Sequence, residues 1–154
     1  MDPDSRAKQL ALRLPPPFGI VASALSAPIV INGGLGYIAI HGPLLPTGKM
    51  ITGRVGSDID AAAAFDAARQ TGLSVLSTLK SHLGTLARVR QILKTLVLIN
   101  CTVDFVGHAQ VADGFSKLFV DVFGEDRGRG VRSAIGVDSL PGHVPVAAEI
   151  MIAI

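Results

Sequence analysis

The apolar positions change period several times along the chain, and each change marks an element. Pro28-Ile29-Val30-Ile31 and Tyr37-Ile38-Ala39-Ile40 are β-rich runs flanking Asn32-Gly33-Gly34, a pattern that predicts a hairpin. The turn-rich segment Pro43–Lys49 leads into a third short strand. From Asp58, a candidate cap, the spacing becomes helical. Ala61–Ala64 and then Leu73, Leu76, Leu79 and Leu83 predict a helix over 59–83, stopped by Gly84. The unbroken apolar run within 91–100 predicts a strand covered on both faces. Val111, Phe115, Leu118, Phe119, Val122 and Phe123 form an amphipathic stripe on a second helix, capped by Thr102 or Asp104 and ended by Gly124. A charged loop, a strand over 132–137, a Leu140-Pro141-Gly142 turn and a strand over 144–154 complete the chain. The order is β-β-β-α-β-α-β-β, an α+β two-layer sandwich with a sheet on one side and two helices on the other. Residues 1–17 form an extension whose short helix, 5–14, is stopped by Pro15-Pro16-Pro17 and lies on the surface. Residues 18–154 are a single domain.

Composition sharpens this picture only slightly. Apolar residues make up 49% and charged residues 17% of the chain, more surface than a domain of 154 residues comfortably hides alone. Self-association is the expectation. Fourteen basic residues against twelve acidic ones give +2, and Arg127-Gly128-Arg129 with Arg132 is the one dense run, predicted to be a solvated loop. Without a broad basic face or stacking aromatics, nucleic acid is not an expected partner. The single Cys101 excludes an intrachain disulfide and is expected to be a small buried hydrophobe. No signal-peptide pattern and no apolar stretch of ~20 residues appears, so a soluble, cytoplasmic protein without membrane partners is expected.

Signatures of catalysis are sparse. His41, His82, His108 and His143 lie far apart, no Cys-x-x-Cys or nucleophile elbow is present, and no metal or cofactor is expected. Two charges in strands stand out. Arg132 shares a strand face with Ala134 and Gly136, and Glu149 is the one charge in the closing strand. Such a carboxylate is paired, exposed at an edge or functional.

The segment Arg132-Ser133-Ala134-Ile135-Gly136-Val137-Asp138-Ser139-Leu140-Pro141, followed by Glu149-Ile150, resembles the C-terminal signature of the RidA/YjgF family, also labelled endoribonuclease L-PSP. His41-Gly42-Pro43-Leu44, Thr52-Gly53-Arg54-Val55-Gly56 and Val120-Asp121-Val122-Phe123-Gly124 resemble its longer-chain branch. The resemblance covers roughly residues 20–154. It implies a chorismate-mutase-like fold, a homotrimer with clefts at subunit interfaces, and cofactor-free hydrolysis of enamines and imines to keto acids and ammonia. It also implies that Arg132 clamps a substrate carboxylate, for which a planar guanidinium is suited. By the same resemblance Arg132 and Glu149 are the expected catalytic residues, and Arg132, Ser133, Ala134, Ile40, His41 and Asp113 the substrate contacts.

Several positions depart from the family pattern. Ala147 stands where the family has a water-positioning glutamate, Ile40 where it has a glycine, Asp113 where it has an asparagine, and Ser26 near a pocket tyrosine. Two readings therefore compete: a deaminase, and a non-catalytic module that captures a small carboxylate metabolite. Ribonuclease activity, a third reading, lacks a histidine pair and a basic groove.

Overall fold

A computed structural model describes residues 1–17 and 25–154. The boundary expected between residues 17 and 18 abuts residues outside those described. Helix α1 (Pro3–Gln9) starts where Asp2 accepts the Ser5 amide at 3.1 Å and Pro3 fills the first turn. It is shorter than the expected 5–14 because Leu10 already caps it. Asp4 holds it against the domain, accepting the Leu86 amide at 3.0 Å and pairing with Lys80 at 3.3 Å.

Strands β1 (Ile29–Asn32) and β2 (Leu35–His41) form the expected hairpin. Gly33 and Gly34 both have positive φ, the geometry a two-residue turn between twisted strands requires. Helix α2 (Ala61–Leu83) is capped by Asp60, whose carboxylate accepts the Ala63 amide at 2.8 Å, and ends at Gly84. Asp58, the expected cap, instead accepts the Arg54 amide at 2.8 Å. Strand β3 (Gln91–Asn100) has the bounds the apolar run predicts. Helix α3 (His108–Phe123) starts later than Thr102 or Asp104 because residues 102–105 close a turn, Phe105 N–H to Thr102 C=O at 3.1 Å. The expected charged loop contains a helical turn, α4 (Glu125–Gly128), where Arg127 binds the carbonyls of Ala87 and Val89. Strands β4 (Val131–Val137) and β5 (Val146–Ala153) complete the sheet.

The sheet has five strands, in the order β1-β2-β5-β3-β4, with β3 and β4 parallel and the other neighbours antiparallel. The class is the expected α+β sandwich, but the third predicted strand is missing. Both sides of β2 are already taken, by β1 and β5, so Met50–Val55 cannot pair with the strand that precedes it. It settles for single bridges, Leu44 to Met50 and Val55 to Cys101.

Helices α2 and α3 cover one face of the sheet. Leu76, Leu79, Phe115 and Phe119 pack there with Val97, Ile99, Ile150 and Ile152 in one buried cluster. The helices cross closely because Gly72 and Gly114 lack side chains. A Cβ on Gly114 would lie 2.1 Å from the Phe65 carbonyl oxygen. Gly114→Ala is accordingly expected to cost about 2–3 kcal/mol through overpacking despite its gain of ~1 kcal/mol in helix propensity. A thermal melt should show this as a midpoint lowered by roughly 5–10 °C.

The opposite face carries no helix. Register places Tyr37, Met151, Lys94 and Val131 in one row, and Glu149, Leu96 and Ser133 in the next. With Val30 and Ile135 they form an open, largely apolar surface, on which Val131 is 68% exposed. Toward the other end of this face, Ile40, Met50, Leu98 and Val137 close over Leu140, Val144 and Ala147.

Candidate functional site

Arg132 is the second residue of β4, an edge strand, and lies on the helix-facing side, where its register partner is the buried Thr95. Helix α3 turns Ala109, Asp113 and Ser116 toward it, at the i, i+4, i+7 spacing of one helical face. One terminal nitrogen, Nη1, donates to Asp113 Oδ1 at 2.7 Å and to Ser116 Oγ at 3.1 Å. The other, Nη2, makes only a long contact of 3.5 Å to the Ala109 carbonyl. Nε has no partner among the described residues. The guanidinium is thus braced on one edge and free on the Nε–Nη2 edge, with its side chain 24% exposed and that of Asp113 59% exposed. A groove of about 660 Å³ runs past the pair, lined also by Lys117, Arg129 and Gly130. Lys117 and Arg129 are engaged by Asp121 and Glu125.

The other expected site residues fall into separate places. Ala134 shares the helix-facing side of β4 with Arg132. Ser133 faces the open side of the sheet, and so does Glu149, because both are register partners of Leu96. Within one chain, Arg132 and Glu149 therefore stand on opposite faces of the sheet. Glu149 makes no hydrogen bond or ion pair among the described residues and borders a recess of about 160 Å³ with Tyr37, Lys94, Leu96 and Met151. Ile40 packs into the apolar end of the open face.

His41 departs most from its expected role as a substrate contact. It is fully buried: Nδ1 donates to the Ala39 carbonyl at 2.7 Å, so the neutral ring accepts the Thr78 hydroxyl at Nε2, also 2.7 Å. Both ring nitrogens are used inside the core, and the ring ties β2 to α2. Burial pushes its pKa below the usual histidine value, against the raising effect of the Ala39 bond. The unfolded chain then takes up a proton near pH 6.5 that the folded chain refuses, so stability falls as pH drops through that value. Melting temperatures between pH 7 and 5 should decline in the wild type and decline less in His41→Gln.

A second groove escaped the sequence reading. Arg54, Cys101, Phe105, His108, Gly136 and Asp138 line a space of about 340 Å³ at the far end of β4. Nη2 of Arg54 donates to the Cys101 carbonyl at 2.8 Å and to Asp138 at 3.0 Å, while its Nε is buried without a partner. Cys101 lies 3.6 Å from His108 Nε2, and burial pushes its thiol pKa up, which fits a buried small side chain and not an activated nucleophile. The one sequence signal was Arg54 within Thr52-Gly53-Arg54-Val55-Gly56; its partners are 47 and 84 residues away. Among the described residues no three His, Cys, Asp or Glu side chains converge as metal ligands, and no helix is long and apolar enough to cross a membrane.

Comparison with known proteins places this geometry. The family model described as "YjgF/chorismate mutase-like, putative endoribonuclease" matches residues 5–143. The chain belongs to the YjgF family. A curated relative, Protein TCP17 of Trypanosoma cruzi, is 32% identical over 140 residues, which are 87% of this chain and 88% of that one. Atu1372 of Agrobacterium tumefaciens, a crystal structure of unknown function, is 32% identical with a TM-score of 0.88, covering 99% of this chain and 93% of its own. A Shewanella oneidensis structure carrying the same endoribonuclease description is 27% identical with a TM-score of 0.90, and each chain is covered completely. YjgF membership carries the chorismate-mutase-like fold and is consistent with a role in small-molecule metabolism.

Proposed function

We propose that this YjgF protein hydrolyses small carboxylate-bearing imines and enamines to keto acids and ammonia. The observation that carries the reading is Arg132: a guanidinium braced by Asp113 and Ser116, with its Nε–Nη2 edge left for two parallel bonds to a carboxylate. Such an anchor fixes the neighbouring C=N carbon. Water adds to that carbon, its proton passes to nitrogen, the C–N bond breaks, and ammonia leaves a ketone oxygen behind. In this reading the exposed Asp113 carboxylate, 2.7 Å from the anchor at Oδ1, orients the water through its other oxygen. Glu149 joins the cleft from a neighbouring copy, since it cannot reach Arg132 around its own sheet.

The neighbouring copy is part of the proposal. The open face bears Val30, Tyr37, Leu96, Val131, Ile135 and Met151, more apolar surface than a monomer ordinarily leaves wet. A homotrimer built on this face covers it and brings Glu149 of one subunit toward the edge strand of the next.

One observation favours non-catalytic capture of the same carboxylates. Ala147 is fully buried among Leu98 and Leu140, so the usual water-positioning carboxylate has no substitute at that point. Ribonuclease action finds no comparable support, because His41, His82, His108 and His143 have separate local partners: Thr78, a helix carbonyl, Cys101 and Asp58.

The test generates imines in situ with an amino acid oxidase and follows keto acid appearance. Faster appearance with the wild-type protein supports hydrolysis. Thermal stabilisation by keto acids with no acceleration across the amino acid series would instead establish capture without turnover.

A further inference from the structure

We infer that the Arg54 groove is a second ligand site, selective for small monocarboxylates with a compact apolar body and independent of the Arg132 cleft. Arg132 and Gly136 are four residues apart on β4, about 13 Å along the strand, so one small ligand does not span both arginines.

The case begins with unused donors. A guanidinium carries five N–H groups, and Arg54 commits only Nη2. Nη1 has no partner among the described residues, and Nε is buried with none. Buried donors without partners are uncommon, and one beside a groove favours an acceptor there. Its one ion pair among the described residues is with Asp138, whose side chain is 98% exposed, so the pair contributes little, and the nearby Asp58 carboxylate adds a second negative charge. The Cys101 carbonyl meanwhile fixes the guanidinium in place before any ligand arrives.

The rest of the groove defines the ligand's body. Phe105 meets His108 edge to face at a centroid distance of 5.3 Å, and Val103 and Val137 complete apolar walls. Gly136 keeps the floor open. A Cβ there would lie 2.7 Å from His108 Nε2 and 2.9 Å from Cys101 Sγ. The space, about 340 Å³, is at the small end of ligand sites. Charge selects the class: Arg54 faces Asp138, so a monoanion is accommodated and a dianion such as phosphate is repelled.

The experiment titrates benzoate, its neutral isostere benzamide, and inorganic phosphate into the whole protein, with amide NMR shifts as the readout. Benzoate is expected to move the signals of His108 and Val137, with benzamide and phosphate at least about tenfold weaker, the worth of one charge-assisted bond. Arg54→Gln should weaken benzoate by the same factor, and Arg132→Ala should leave it unchanged. Asp138→Asn, at an exposed position that perturbs folding little, should tighten benzoate by removing its competitor. Benzoate that does not bind, binds no better than benzamide, follows Arg132 instead of Arg54, or ignores Asp138→Asn would overturn the assignment. None of these readouts requires turnover, so failure of the deaminase reading would leave this test intact.

Discussion

Arg132→Ala is expected to lower keto acid release from carboxylate-bearing imines on the order of a hundredfold or more, with little change in melting temperature. The large kinetic effect follows from the role proposed for the guanidinium, which is to hold the substrate carboxylate by two charge-assisted bonds and so fix the reacting carbon against its water. The small stability effect follows from exposure. Asp113 loses its partner but its side chain is 59% exposed, so water replaces the lost bonds and no buried charge is stranded. Arg132→Lys should recover only part of the activity, because an ammonium cannot span both carboxylate oxygens in one plane. Steady-state assays beside thermal melts check both halves. A variant that keeps wild-type turnover would remove Arg132 from the site.

If the chain assembles as proposed, Leu96→Asp is expected to convert the proposed trimer to folded monomers and to abolish turnover with it. Leu96 occupies the middle of the open face, directly between Glu149 and Ser133. A carboxylate there faces Glu149 across the strands, and like charges placed so are destabilising. At a subunit interface the new charge would also have to shed its water without a partner, which costs several kcal/mol. In the monomer it remains wet, so the α2–α3 core is untouched. Light scattering and circular dichroism separate the two consequences. A variant that stays trimeric would show that the open face is not the interface.

The fold was largely legible in the sequence because its strongest signals are local. The 91–100 run forms an interior strand between β5 and β4, though only one of its faces is covered and not both as expected, the hairpin turn needs the two glycines that follow Asn32, and Gly84 and Gly124 end helices at positive φ. What misled was local signal without tertiary room. Met50–Val55 has strand-forming residues, yet β5 occupies the place beside β2 that it would have taken. Asp58 and Asp60 are equal candidates by residue type, and only the path of the chain assigns the cap to Asp60.

The site was legible in parts. Alternation along β4 groups Arg132 with Ala134, and alternation along β5 separates Glu149 from Ile150. Which of those faces lies under the helices depends on register between strands, and that no single strand reveals. His41 stands in a motif shared with the family branch, but its partner Thr78 comes from α2, 37 residues on, and turns an expected ligand contact into a core hydrogen bond. The Arg54 groove draws on three distant segments, so no spacing rule could have assembled it.

The central claim is that each working cleft takes Arg132 from one copy and Glu149 from the next, and mixing subunits tests it most directly. Arg132→Ala and Glu149→Gln trimers should each be inactive. Unfolded together in equal amounts and reassembled, they should recover about a quarter of wild-type activity, because one cleft in four then joins an intact Arg132 half to an intact Glu149 half across a head-to-tail interface. No recovery in mixed trimers, or a Glu149→Gln trimer as active as the wild type, would contradict the account.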